Sequence, residues 1–544
     1  MKSRAWPGKA HHVGWILALV TTLTVVALQR DVGIARDETV YMSAGQRYAD
    51  WWVGLVKLQH GFGAPLIAST FGGPMGGGGN PEHPPLAKLA AGLSHRWFHD
   101  DLPILGELTA YRLPSAILHG VLAWLVFTFV LELWGFAEAV LATVCLLLLP
   151  RALFHAGLAC FDAPIMALWF ATIFAYWRAL GASRQTFPWQ LGLAWGLALA
   201  MKHTALLLPF AIGVHYIVLA IRRRDALFRW RLVATMAVLG PLVLFVLWPW
   251  LWRDPIGHVT QWLQFHAHHV HYNFEYLGHN WNAPPFPWHV ALVTTLLTVP
   301  TATLGAAAVG AGVWIVRWRR GTNVASDRAP VLLLALSAAA SIGPFVLGST
   351  PIFGAEKHWM SVLPTICIAA GVGGIWAARR LAVVFERLPS GVAIGAVAGA
   401  IALAGLAETV VSHPYALTWY SALAGGSPGG ADLGMNRQYW GVAARGVLPE
   451  LKALPPAPVY AHDASPAWGW YLRLGELPSG YPDAGNEAAG VAASTYALVI
   501  HELHFNRHDY LIWKSFGTVQ PLFVLRSAGV PIVSLYQRPA KAPK

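Results

Sequence analysis

The chain has 544 residues, of which 56% are hydrophobic and only 12% charged, with a mean hydropathy of +0.48. A soluble domain carries roughly 25% charged residues, so this composition excludes an ordinary soluble protein and points to one embedded in a bilayer. The net charge of +12 argues for no nucleic-acid partner, because the arginines fall between apolar runs rather than on one polar face.

Apolar runs of roughly 17–25 residues span a bilayer as helices. Eleven occur, near 13–29, 112–134, 137–155, 163–180, 187–201, 204–221, 232–250, 289–316, 330–348, 359–378 and 391–411. The fifth is short, and Pro150 and Arg151 interrupt the third. No small-residue cleavage site follows the first, which reads as a retained span. The 27 tryptophans suit membrane interfaces. Cys145, Cys160 and Cys367 lie in or beside apolar runs, as small buried hydrophobes do.

Short loops rich in Lys and Arg stay cytoplasmic. RRRDALFRWR (222–231), RWRRGTNVASDR (317–328) and ARR (378–380) therefore place the N-terminus inside and, after eleven spans, the C-terminus outside. The expected location is a bacterial-type inner membrane. Beyond 411 the chain turns loop-rich, and APVYAH, YALVI and PIVSLYQ read as strands. The expected organisation is a membrane unit at 1–411 and a small extracytoplasmic α/β domain at 412–544.

With this topology, several polar groups share the outer face. Asp37 and Glu38 open a segment that sets Tyr41, Ala44, Tyr48, Trp51 and Leu55 on one helical stripe, as in a helix lying in the interface plane. An acidic residue there also suits a helix cap. The glycine run at 72–80 lacks the Gly-Lys-Ser/Thr of a phosphate loop and reads as a flexible loop. In EHPPLAK, Pro84 and Pro85 suit a helix start, and Lys88 suits a snorkelling position. Asp162 in FDAP begins a span, where capping accounts for it. Lys202-His203 falls between two apolar runs, where a lysine can hold an anionic headgroup. The loop 258–289 carries His266, His268, His269, His271 and His279, but neither HExxH nor paired Cys/His spacing. It reads as an aromatic interfacial loop ahead of a metal site. FGAEKHW sets Lys357 and His358 at the mouth of the tenth span.

Such a face suits a lipid-linked phosphosugar. Its leaving phosphate needs cationic charge as the bond to the sugar breaks, and Lys88, Arg112, Lys202, Lys357 and His358 are candidates. The acceptor hydroxyl must lose a proton, which a carboxylate within hydrogen-bond reach can take. Direct displacement inverts the anomeric centre.

DETVYMSAGQRY, EHPPLAKL, YRLPSA, FDAP, MKHTALL, YLGHNWNAPPFPW and GAEKHWMSVLP follow one another in order, with HPYALTWYSALAGG and YWG beyond. In this set the chain resembles the membrane-embedded GT-C glycosyltransferases, notably the protein O-mannosyltransferases and bacterial relatives such as the lipid A aminoarabinose transferases. The resemblance implies an α-helical polytopic fold and inverting transfer from a polyprenyl-phosphate-linked sugar to a hydroxyl or phosphate of a glycan, lipid or protein. It makes Asp37 the base, with Glu38 orienting it or contacting the acceptor. His83 and Asp162 fall to the acceptor or a second acidic site, and Lys88, Arg112, Lys202, Lys357 and His358 to the donor phosphate. It requires no cofactor, and it is compatible with a divalent metal, on which members of the superfamily differ. The large luminal β-trefoil of the eukaryotic mannosyltransferases has no counterpart here, which weakens a protein acceptor. Two rival readings are a transporter or flippase of a lipid-linked anion and a non-catalytic subunit of an envelope polysaccharide machine. The first predicts polar or broken helices near the midplane, whereas most charges here sit at span ends.

Overall fold

The computed structural model of the chain describes residues 8–73, 79–183, 185–222, 229–320, 325–485 and 487–539. The glycines at 76–78 and the middles of two basic stretches, 223–228 and 321–324, lie outside the described residues. Among those described, eight helices are long and apolar enough to cross a bilayer. Two further expected spans are bent pairs: Phe136–Leu147 with Pro150–Ala156 at 69°, and Val290–Thr298 with Thr301–Arg319 at 120°. Proline lacks an N–H and biases the residue before it to extended backbone. Leu149 before Pro150 and Val299 before Pro300 are both extended, which is where each helix breaks. The run at 187–201 forms only the 13-residue helix Trp189–Met201, about 20 Å long against a hydrocarbon core of roughly 30 Å. The eleven expected spans thus become eight long helices, or ten spans if each bent pair crosses once.

The helices that build the site are α1 (Gly8–Leu28), α2 (Arg36–Val56), α3 (Ala64–Phe71), α4 (Leu86–His95) and α5 (Glu107–Leu133). They continue with α6 (Phe136–Leu147), α7 (Pro150–Ala156), α8 (Asp162–Gly181) and α9 (Trp189–Met201). Both α5 and α8 are long and apolar enough to cross a bilayer. Arg112 and Asp162 lie near their first turns, at one end. At the other end Arg178 pairs with Glu132 at 2.6 Å, Arg379 pairs with Glu138 at 2.6 Å, and Arg229 donates to the Ala179 carbonyl at 3.0 Å. Charge is therefore concentrated at the two ends.

The apolar stripe of α2 faces protein, not a membrane interface. Tyr41, Ala44, Tyr48 and Trp51 are buried, and the last three pack with Ile67, Phe71 and Leu89 of α3 and α4. The crossing of α2 and α4 depends on two glycines. A Cβ on Gly92 would lie 1.9 Å from the Gly45 carbonyl oxygen, and one on Gly45 would lie 2.3 Å from the Lys88 carbonyl oxygen. Two backbones in contact leave no room for even a methyl group.

The loop after Pro255–Ala267 contains a short antiparallel hairpin, β1 (Phe274–Tyr276) and β2 (His279–Trp281). The C-terminal part carries a four-stranded sheet of β3 (Val459–Tyr460), β4 (Tyr496–Ile500), β5 (Phe523–Ser527) and β6 (Val530–Gln537), in the order β3-β4-β6-β5. β3 and β4 are parallel and the other pairs antiparallel. Ala528 and Gly529 both have positive φ (46° and 86°), as a type I′ turn requires between β5 and β6. The three runs read as strands from sequence are β3, β4 and β6; β5 was not anticipated.

This sheet is continuous with the bundle. Ile34, Met42 and Tyr111 share one buried cluster with Trp468, Tyr471 and Leu498, and the Ile34 N–H donates to the Tyr471 hydroxyl at 2.9 Å. Ala416, Leu417, Tyr420, Tyr439 and Trp440 pack in the bundle's own main cluster. The segment just past residue 412 therefore completes the membrane unit before the sheet begins.

Candidate active site

The start of α2 separates its two carboxylates. Ala35 is the N-cap, and Glu38, at the third helical position, accepts the Ala35 N–H on Oε2 at 2.9 Å. The capping expected of the acidic pair is thus done by Glu38. Glu38 is fully buried. Arg112 grips it from α5, Nε to Oε1 at 2.8 Å and Nη2 to Oε2 at 2.7 Å, and the Ala159 N–H reaches Oε1 at 2.7 Å. The other three Arg112 bonds go to the carbonyls of Gln29, Val32 and Gly33. A guanidinium has five N–H donors, and all five of these are satisfied inside the protein. Glu38–Arg112 is a dry clamp that fixes the loop between α1 and α2 against α5 and the turn before α8.

Asp37 faces the other way. Its side chain is 27% exposed, and its Oδ2 lies 3.5 Å from the Lys357 ammonium. Lys357 is nearly buried, with its ammonium 4.0 Å from the Trp440 ring centroid and 5.1 Å from that of Phe353. Gly354 makes this placement possible. Its φ is +67°, and a Cβ there would sit 2.6 Å from Lys357 Cε. Next to it, Lys202 Nζ contacts the Lys357 carbonyl at 3.4 Å and Asp162 Oδ1 at 2.7 Å. Asp162 is the first residue of α8 and Phe161 its N-cap; the Asp162 carboxylate is committed to Lys202. Two carboxylates and two ammoniums from four separate stretches thus form one row at one end of the bundle.

A second buried pair supports that row. Arg151 Nη1 meets Glu356 Oε2 at 2.7 Å, while its other donors bind the carbonyls of Leu417 and Trp419. The Tyr439 hydroxyl reaches Glu356 Oε1 at 3.4 Å. Burial pushes the Glu356 carboxyl up, but Arg151 and His155 together outweigh it and hold the group below its ordinary value. From sequence alone Arg151 reads as an interruption in a span. The missing signal is the pairing of a charge inside an apolar run with Glu356 about two hundred residues away.

The remaining expected residues distribute as follows. Lys88 is buried, and its ammonium donates to the Asn80 carbonyl at 2.6 Å, Asn80 Oδ1 at 3.0 Å and the His83 carbonyl at 2.7 Å. Its three N–H groups shape the loop 80–83 and leave none for a phosphate. His83 stands beside Phe161 and His266, with its Nδ1 buried and without a hydrogen-bond partner among the described residues. Burial, with His266 and Lys88 adding, holds His83 well below its ordinary pKa, and burial takes His266 down to about 4. His358 is also held well below its ordinary value by burial, then by Lys202 and Lys357. It contributes a neutral ring rather than positive charge, and its Nε2 pairs with the Phe353 carbonyl. The histidine-rich loop lies over this end of the site. His266 stacks on His203 at 3.6 Å, and His269 stacks on Phe353 at 4.9 Å.

Residues 82–252 match the family profile of dolichyl-phosphate-mannose-protein mannosyltransferase. Among solved structures, ArnT from Cupriavidus metallidurans in the apo state superposes with a TM-score of 0.50 at 15% identity, covering 96% of this chain and 98% of that one. The same protein bound to undecaprenyl phosphate gives 0.50 at 16%, covering 97% and 99%. The archaeal oligosaccharyltransferase AglB from Archaeoglobus fulgidus, in complex with an inhibitory peptide and a dolichol-phosphate, gives 0.51 at 11%, covering 96% of this chain and 74% of that one. No curated protein sequence matches the chain. The class is therefore defined: a multi-pass membrane protein of the GT-C fold with a small C-terminal sheet. Within that class it resembles the O-mannosyltransferases and the aminoarabinose transferases.

Proposed function

We propose that the protein is an inverting glycosyltransferase that moves a sugar from a polyprenyl-phosphate-linked donor to a hydroxyl or phosphate acceptor at the outer face of the membrane. The observation that carries this reading is the partly open Asp37 carboxylate 3.5 Å from the buried Lys357 ammonium. Asp37 takes the proton of the acceptor hydroxyl as its oxygen attacks the anomeric carbon. The sugar–oxygen bond breaks on the opposite side, and its electron pair leaves on the lipid phosphate. Lys357 and Lys202 stabilise that anion as its charge develops. Glu38, Arg112 and Lys88 position this machinery without touching substrate. Relatives of the same fold carry undecaprenyl phosphate and dolichol-phosphate, which supports a donor of the same chemical kind.

The positive charge this step needs comes from the protein. Asp37 and Asp162 each have a lysine ammonium within 3.5 Å, so these carboxylates are already neutralised where a divalent ion would bind. We therefore propose that these lysines supply that charge in place of a cofactor.

The test is purified protein in proteoliposomes supplied with labelled polyprenyl-phosphate sugars, alongside glycan and lipid mass profiles of a deletion strain and its complemented parent. Release of polyprenyl phosphate and one sugar missing from one envelope component are expected. No donor turnover with an unchanged envelope profile overturns the reading. The proposal has the N-terminus in the cytoplasm and the C-terminal sheet outside; reporter fusions after residue 411 that are active in the cytoplasm contradict this sidedness.

A further inference from the structure

Away from the Asp37–Lys357 row, the hairpin β1–β2 meets the C-terminal sheet unit through an unusual set of side chains. Glu275 from β1 is 3% exposed, and Glu502, two residues past β4, is 7% exposed. His504 stands between them, with Nδ1 3.5 Å from Glu275 Oε1 and Nε2 3.6 Å from Glu502 Oε2. Both separations exceed a good hydrogen bond. One donor atom from each residue lies within 4.8 Å of the other two. The buried Glu502 Oε1 has no hydrogen-bond partner among the described residues, nor has His504 Nδ1. The Arg36 guanidinium is committed to Asp463 at 2.9 Å. Two carboxylates are thus nearly buried together with one imidazole between them, an arrangement that is costly unless a proton or another positive charge is taken up there.

We propose that Glu275, Glu502 and His504 form a site for a divalent transition cation, of the zinc or manganese kind, that staples the hairpin to the C-terminal sheet. The donor set decides the class of ion. An imidazole with two carboxylates suits zinc and manganese, whereas calcium and magnesium prefer oxygen alone. An ion takes only one ring nitrogen of His504, and one donor atom from each of the three residues already lies within 4.8 Å of the other two, within side-chain reach of the roughly 3.4 Å that bonds near 2.1 Å put between ligand atoms in tetrahedral geometry.

The position gives the site a purpose. The hairpin buries Phe274 and Tyr276 in the bundle's main cluster, but its polar ties to the C-terminal part are few: Glu275 N–H to Asn436 Oδ1 at 2.8 Å, Gly278 N–H to the Gly434 carbonyl at 2.9 Å, and the Leu503 N–H to Glu275 Oε1. The loop that leads into it sets His269 and Tyr272 against Phe353, whose ring faces Lys357. A bound cation would therefore stiffen the cover of the donor end without entering the reaction.

The test uses full-length protein in detergent, with any affinity tag removed, stripped with chelator and titrated with Zn²⁺, Mn²⁺, Mg²⁺ and Ca²⁺. Metal content is read by mass spectrometry and stability by melting temperature. Wild type should take up about one equivalent of Zn²⁺ or Mn²⁺ and gain melting temperature with it. Glu502→Gln and His504→Ala should lose both effects while melting normally in chelator. The second variant lies at a partly exposed position, which keeps the test sound should the first fold poorly. Equal uptake by the variants, uptake of Mg²⁺ or Ca²⁺ alone, or no uptake by wild type overturns the proposal.

Discussion

Glu38→Gln separates structural from chemical acidity at the head of α2. The native carboxylate accepts four hydrogen bonds, two from Arg112 and one each from the Ala35 and Ala159 N–H groups. Glutamine keeps one acceptor oxygen, turns an amide N–H₂ toward these donors, and leaves the fully buried Arg112 without its counter-charge. Removing one partner of a buried ion pair costs about 3–5 kcal/mol. Asp37→Asn, in contrast, weakens two long contacts on a partly exposed side chain, 3.5 Å to Lys357 and 3.9 Å to the exposed Arg36, with an expected cost below about 1 kcal/mol. Thermal melts followed by size-exclusion chromatography in detergent should therefore show Glu38→Gln melting well below wild type and Asp37→Asn close to it. Arg112→Lys should behave like Glu38→Gln, because lysine has three donors where five are used. A Glu38→Gln protein that melts like wild type but no longer transfers sugar would refute this division of roles.

Other substitutions probe the donor end and the C-terminal sheet. Lys357→Met removes the ammonium beside Asp37 and should raise the donor KM about ten- to a hundredfold, the range for a hydrogen bond to a charged group; steady-state kinetics with varied donor checks it, and an unchanged KM contradicts a phosphate contact. Burial raises the Asp509 carboxyl to about 7, whereas an unfolded aspartate titrates near 3.9. Between these values the folded chain binds the extra proton, so stability falls as pH rises through that window. Asp509→Asn should thus melt above wild type at pH 8 and alongside it near pH 4, and an equal difference at both values would contradict the assignment.

Much of the architecture is legible in the chain because a bilayer leaves few choices. Long apolar runs must be helices, and every run read as a span is helical at its core. What the runs do not reveal is continuity. Pro150 and Pro300 bend two of them at single residues, and hydropathy averaged over about 19 residues does not register one residue. The site was half legible for a similar reason. Residue type and span-end position brought Asp37, Asp162, Lys202 and Lys357 to one face. They did not reveal how each donor is used. Arg112 and Lys88 look like phosphate ligands until their partners, Gln29, Val32, Gly33, Asn80 and His83, are seen to be distant in sequence or backbone carbonyls. Arg151 and Tyr439 were missed because their pairing with Glu356 exists only after α7, the turn at 355–358 and the segment beyond residue 412 fold onto one another.

The central claim is that Asp37 removes the acceptor proton. Purified Asp37→Asn protein, assayed with a labelled polyprenyl-phosphate sugar and its acceptor, tests it most directly. The account predicts a fall in turnover of about 10²–10⁴-fold, with donor binding and melting temperature close to wild type. Turnover within a few-fold of wild type would contradict it.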